Sequence, residues 1–377
     1  MRTVKPTRVF NSTRLQAMRQ ECDPPADAVI AAVHRERGMA GLGQLMAFLG
    51  KRKPHSTATS AKGIPIAQPL TSPFRADQTN EQRIKAAIAG HELALHESPG
   101  SDQLPAVQEF FANHSHLPAW ADPKRMDEGS TFLQKYVDSL MLLLGCYSLP
   151  YCYAAADGVQ VLYLSQRIQK DTYNRLLETA QFVLEVAKPG AFKTGGTGFL
   201  ACNKIRLMHA TIRFYTLHSG QWNPSWGQPI NQEDMAGTNL AMSYIPIRGL
   251  RKIQLNPEER ESEAYLHLWN VAGYLLGIEE ELLPANLREA FHLDRLIAQR
   301  NMRASEAGAA LTKALIDSIT SSIPGALPKN LPASQMRLLL GNEIADMLNV
   351  PAADWTINLV KTSQVRNFFQ SLVLSRT

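Results

Sequence analysis

Between Ser139 and Ala156 the chain carries no Asp, Glu, Lys or Arg, and this run must be removed from water in any fold the protein adopts. It is about long enough to cross a bilayer. Gly145, Ser148 and Pro150 interrupt it, and Tyr147, Tyr151 and Tyr153 bring hydroxyls that need partners. The run therefore reads as a buried core helix that ends or kinks near the proline, not as a transmembrane span. With 377 residues, 45% of them hydrophobic, the chain is long enough to build a core around it.

From about Gln78 onward the apolar spacing is helical and strand alternation is nearly absent, so the expected class is all-α, one large helical bundle. Helices are expected at about 131–149, 171–187, 203–218, 284–300, 304–321 and 334–348. Asn256-Pro257-Glu258-Glu259 offers an N-cap, a proline at the first helical position and acids in the first turn, with Gly277 closing that helix. Asn231 with Asp234 caps another helix that enters Met235 to Tyr244. Residues 24–50 carry a helical pattern broken by Gly38, Gly41 and Gly43, and Lys51 to Asp77 is polar and aperiodic. This divides the chain into a helical arm and linker at 1–75 and a main all-α domain at 76–377.

The net charge of +5 is modest, and no block of like charges resembles a nucleic-acid arm. Cys22, Cys146, Cys152 and Cys202 lack zinc or CxxC spacing and read as reduced thiols. No apolar segment follows the polar start Met1 to Pro6, so a cytoplasmic location is expected.

From Val186 to Gln232 there is no Asp or Glu, while Lys188, Lys193, Lys204, Arg206 and Arg213 are basic. At roughly 100° per residue, Arg206 and Arg213 fall within about 60° of His209 on one helix face. Two half-buried guanidinium groups without a local carboxylate need an anion from elsewhere. A dianionic cofactor carrying a metal for the histidine would satisfy all three, and haem, with two propionates and an iron, fits. The plainer alternatives are a hydrogen-bonded core histidine, and arginines that meet a partner protein's carboxylates. On the helix at 171–187, Leu176, Leu177, Ala180, Val183, Leu184 and Ala187 join Tyr173 on the core face. Asn174, Glu178, Gln181 and Glu185 form a polar side. A third stripe holds Arg175, Thr179, Phe182 and Val186: a pocket wall, or a snorkelling arginine beside an ordinary threonine.

Other candidates fail on geometry. His91 and His96 fall about 140° apart on a helix and cannot share one metal as an i, i+4 pair would. His114-Ser115-His116 reads as a loop. Thr194-Gly195-Gly196-Thr197-Gly198 lacks the P-loop spacing and reads as a tight turn.

Arg206-Leu207-Met208-His209-Ala210-x-x-Arg213, Pro229-Ile230-Asn231-Gln232-Glu233-Asp234 and Leu268-Trp269-x-x-x-Gly273-Tyr274-Leu275-Leu276-Gly277 together resemble the latex-clearing protein (rubber oxygenase) and MpaB oxygenase family. Leu117-Pro118-Ala119-Trp120 and Asp127-Glu128-Gly129 resemble its domain entrance, and the similarity runs from about 104 to 350. The resemblance implies a helical fold binding one b-type haem, with His209 as the proximal iron ligand. It implies that Arg175 and Thr179, an arginine and a threonine four residues apart, lie on the distal side as catalytic residues. It implies dioxygen chemistry on carbon–carbon double bonds of an apolar, terpenoid or lipid-like substrate. A haem-binding sensor or carrier using the same His209 is the alternative. Two positions depart from the rubber-cleaving members. Glu178 stands where they have a lysine, and between Ser148 and Leu164 Asp157 is the sole acid where they have a catalytic glutamate.

Overall fold

A computed structural model describes residues 8–50, 98–100, 104–165, 172–321 and 328–360. Among them the regular elements are helices, and the one β contact is an isolated antiparallel bridge between Ala155 and Met302. The protein is all-α. The helices are α1 (Ser12–Met18), α2 (Pro24–Leu49), α3 (Pro105–Asn113), α4 (Pro123–Leu143), α5 (Leu149–Tyr153), α6 (Gln160–Leu164), α7 (Thr172–Ala187) and α8 (Gly198–His218). There follow α9 (Gln232–Met242), α10 (Tyr244–Lys252), α11 (Glu259–Leu275), α12 (Leu287–Asn301), α13 (Glu306–Ser321), α14 (Leu331–Leu340), α15 (Asn342–Met347) and α16 (Thr356–Val360). The segment holding His91 and His96 lies outside the described residues.

The most extensive helix pair is α4 against α11. Gly129 makes their close approach possible, because a Cβ there would sit 2.6 Å from the Ala264 carbonyl oxygen and 2.9 Å from Leu268 Cβ. Phe132, Leu133, Leu140, Tyr265, Leu268 and Trp269 are buried along this seam, the centre of the main core.

The uncharged run is buried as expected, but the chain does not stop at Pro150. Residues Leu144–Ser148 open into a π turn that leads directly into α5. Pro150 lacks an N–H and would crowd the carbonyl four residues earlier in a regular α-helix; widening the turn ahead of it relieves both problems. The run's tyrosines find polar partners: Arg248 Nε donates to Tyr147 Oη at 2.7 Å, and Tyr151 Oη donates to Asp294 at 2.8 Å.

Asn231 caps α9 as expected, its side chain accepting the Asp234 N–H at 2.9 Å. On α11 the cap moves two residues on, to Glu258, which forms a reciprocal capping box with Glu261, so Asn256 is not the cap. The helix expected at 334–348 is split into α14 and α15 at Gly341, whose φ of +84° is left-handed backbone that suits glycine.

A smaller core joins the N-terminal arm to α8. Gly38 (φ +62°, ψ −159°) breaks α2 into two halves, and both lie against α8. Along the first half the His34 ring lies tilted against Phe214, centroids 4.9 Å apart, and along the second Phe48 carries Lys204 Nζ over its ring at 4.3 Å. Val29, Ile30, Val33, Leu42 and Leu45 meet Phe110 of α3 and Leu207, Met208 and Ala210 of α8. Among the described residues no helix is long and apolar enough to cross a membrane.

Candidate functional site

Helix α8 has a different neighbour on each face. Leu207, Met208 and Ala210 face the arm, while Ala201 packs against Phe182 of α7, with Ile205 between the two clusters. Continuing four residues per step, Ala201, Ile205 and His209 form one stripe of α8. On α7, Phe182, Thr179 and Arg175 share one stripe. The two helices pack against each other, and Arg175 lies close enough for its charge to act on the His209 imidazole.

His209 is half-buried overall, but its Nδ1 is enclosed and has no hydrogen-bond partner. Burial, then the charges of Arg213 and Arg175, push the imidazole down to about 4, with Asp23 opposing. The ring is therefore neutral near pH 7, the form in which an imidazole lone pair can ligate a metal. An enclosed ring nitrogen without a partner is unusual in a packed interior and fits a missing ligand or the acceptor that orients one. Among the described residues no cluster of three or more His, Cys, Asp or Glu side chains is placed to hold a bare ion. One imidazole suits a metal that arrives with its own organic ligand.

The α7 wall differs from the expected pattern. Glu178 is not on a solvated side: it is 3% exposed, and Arg175 Nη1 donates to its Oε2 at 2.7 Å. Gln181 is buried as well. Helix α7 is packed by α8, α13 and α4 at once, which leaves little of its surface for water. Arg175 is half-buried, and the Thr179 hydroxyl donates to the Arg175 carbonyl at 2.9 Å, leaving its oxygen free to accept.

The two arginines beside His209 overturn the premise that they lack counter-ions. Arg206 donates from Nε and Nη2 to both oxygens of Asp23, at 2.6 and 2.7 Å, and lies 5.4 Å from the Phe110 ring. Arg213 pairs with Asp27 and donates to the Pro229 and Ile230 carbonyls at 3.0 and 2.9 Å. Ile230 holds φ +53°, a costly conformation for a β-branched residue, in presenting that carbonyl. The anions absent from Val186–Gln232 come from the N-terminal arm, at a sequence distance no periodicity can reveal.

The remaining motif residues bind the same segment. Gln232 Nε2 donates to the Cys22 and Gly277 carbonyls at 2.6 and 2.8 Å. Arg19, 4% exposed, donates to Asp234 at 3.0 Å and to Asn301 at 2.9 Å. Gly277 (φ +88°) leaves the space that the Asp23–Arg206 pair fills. A surface groove of about 870 Å³ lies elsewhere, lined by Phe111, Phe192, Phe199 and Leu200 at the start of α8. Leu200 precedes His209 by about 14 Å of helix rise.

Comparison with known proteins gives the same direction. The family model described as ER-bound oxygenase mpaB/B'/Rubber oxygenase, catalytic domain, matches residues 137–369. A rubber oxygenase of Streptomyces sp. (strain K30) is 25% identical over 260 residues, 68% of this chain and 63% of that protein, so the chain spans less than two thirds of its relative's length. The structure of latex clearing protein in the closed state covers 94% of this chain and 85% of its own, with a TM-score of 0.68 at 20% identity, which is a likeness of fold. The chain belongs to the family of mpaB and rubber oxygenase catalytic domains.

Proposed function

We propose that this protein is a b-type haem-dependent oxygenase that uses dioxygen to oxidise or cleave carbon–carbon double bonds of an apolar, terpenoid or lipid-like substrate. One observation carries the reading: a neutral imidazole with an enclosed, unpartnered nitrogen lies within electrostatic reach of Arg175, which shares its helix stripe with Thr179. His209 would hold the iron, and haem would supply the centre that activates dioxygen. Arg175 offers fixed N–H donors where negative charge develops on oxygen, and Thr179 offers an acceptor. Glu178 bonds to Arg175 and so restrains the guanidinium. The propionate role expected for Arg206 and Arg213 is not carried forward, since Asp23 and Asp27 engage both. The Streptomyces relative is named for rubber; the substrate class proposed here is broader.

The deciding measurement is an absorption spectrum of purified, hemin-incubated protein with a pyridine haemochrome assay. A Soret band is expected, and His209→Ala should abolish or strongly shift it. Arg175→Ala should keep the band yet lower oxygen consumption with a polyene by roughly 100–1000-fold, the range for removing an aimed donor. A preparation that stays colourless defeats the reading. Full colour without polyene-dependent oxygen uptake would leave a haem carrier or sensor.

A further inference from the structure

Arg206 and Arg213 stand three residues before and four residues after His209, so they flank it on its own helix with two positive charges. Asp23 and Asp27 return two negative charges. Both belong to the arm, outside the matched residues 137–369. The Asp23–Arg206 pair is two-pronged and buried, each side chain about a tenth exposed or less. In such surroundings a charge pair is weakly screened and its removal is felt strongly nearby. The space for it is built in: a Cβ on Gly277 would lie 2.5 Å from Asp23 Oδ2 and 2.8 Å from Arg206 Nε. Gln232 fixes the preceding backbone through the Cys22 carbonyl. Asp27 is more open, its side chain 35% exposed, and Arg213 keeps two backbone carbonyls without it.

We infer that Asp23 is a positioning residue for His209, acting through Arg206, so that the N-terminal arm completes the electrostatics of a site whose other residues lie in the matched family domain. The inference rests on reading His209 as a haem ligand. Its chemistry is charge balance. The ferric state carries one more positive charge than the ferrous state. An uncompensated guanidinium one helical turn from the ligand disfavours the ferric state and raises the midpoint potential.

The test is spectroelectrochemical titration of the full-length, hemin-loaded protein. Asp23→Asn keeps the side-chain volume and an acceptor oxygen but removes the charge, and its potential should shift positive. Asp23→Glu should return it toward the wild-type value. The double variant Asp23→Asn with Arg206→Gln removes both charges, and it too should return toward wild type. Asp27→Asn should shift the potential in the same direction but less. An Asp23→Asn protein with an intact Soret band and unchanged potential overturns the inference while leaving the haem reading standing. A double variant displaced as far as Asp23→Asn also overturns it, since the effect would then be distortion and not charge. A wild-type protein that takes up no hemin overturns both readings.

Discussion

Gly277 shows how a single residue can be set by a contact that its neighbours in sequence do not announce. Its position after α11 is legible as a helix stop, and its φ of +88° agrees with that. Its second duty, leaving room for Asp23 and Arg206, appears only when the arm folds onto α8. Gly277→Ala should therefore combine left-handed backbone strain with displacement of a buried ion pair, costing roughly 2–4 kcal/mol. Gly190→Ala is the control: φ there is +75°, but the nearest atom to an added Cβ is 3.9 Å away. Urea unfolding midpoints for the two variants check this, and equal losses would show that the crowding is harmless. The same contrast explains what could be read of the site. His209, Arg206 and Arg213 stand out by helical spacing, whereas Asp23 and Asp27 lie in an arm whose composition says nothing about partners. Glu178 looks like a surface acid because helix periodicity cannot show that α7 is packed on several sides.

At the scale of elements, caps and stops follow from local chemistry and were largely readable: Asn231, Gly277 and the break at Gly38 are where the sequence places them, whereas Gly41 and Gly43 continue the helix. The π turn at Leu144–Ser148 was not, because widening and kinking are two local answers to the same proline, and the packing of α10 and α14 around the turn decides between them. The seam of α4 and α11 carries a pH-sensitive link of this non-local kind. His267 of α11 accepts the Asp122 N–H at 2.9 Å, at the N-terminus of α4, which requires an unprotonated Nε2. Burial, then the charge of Arg125, push this imidazole down to about 4. The unfolded chain takes up that proton near the ordinary value of 6.5, so between pH 6.5 and 4 it binds more protons than the native state. Stability from this group is intact above that window and falls as the pH drops through it, by about 2 kcal/mol at pH 5. Asp234, raised to about 6 chiefly by burial, works in the opposite direction. The comparison of variants isolates the histidine. His267→Gln keeps an acceptor that cannot protonate, and its urea midpoint should fall less between pH 7 and pH 5 than that of wild type. Equal falls would exclude His267 as the source.

Over the whole molecule, α8 is the element that the two cores share. The main core reaches it through α7 and α11, and the smaller core covers its other face with α2 and α3. If the arm were a loosely attached extension, its contacts would open without disturbing the rest, as many terminal segments do. Three features argue otherwise. The arm buries Val29, Ile30 and Val33, it carries the carboxylates for two arginines of α8, and Arg19 is inserted among Glu233, Asp234 and Asn301. Opening the arm alone would strand Arg206 without a counter-ion, and breaking a buried pair costs about 3–5 kcal/mol. That cost adds to re-exposure of the apolar face of α8. Native-state hydrogen exchange should therefore find the amides of Ala26 to Val33 protected to nearly the same degree as those around Leu207. In Asp23→Asn, protection of Ala26 to Val33 should drop by about tenfold for each 1.4 kcal/mol lost, ahead of any change in α4 or α11. Wild-type amides at Ala26 to Val33 that exchange orders of magnitude faster than those of α8 would mean that the arm opens independently. The histidine helix would then carry its charges without the arm's help for part of the time.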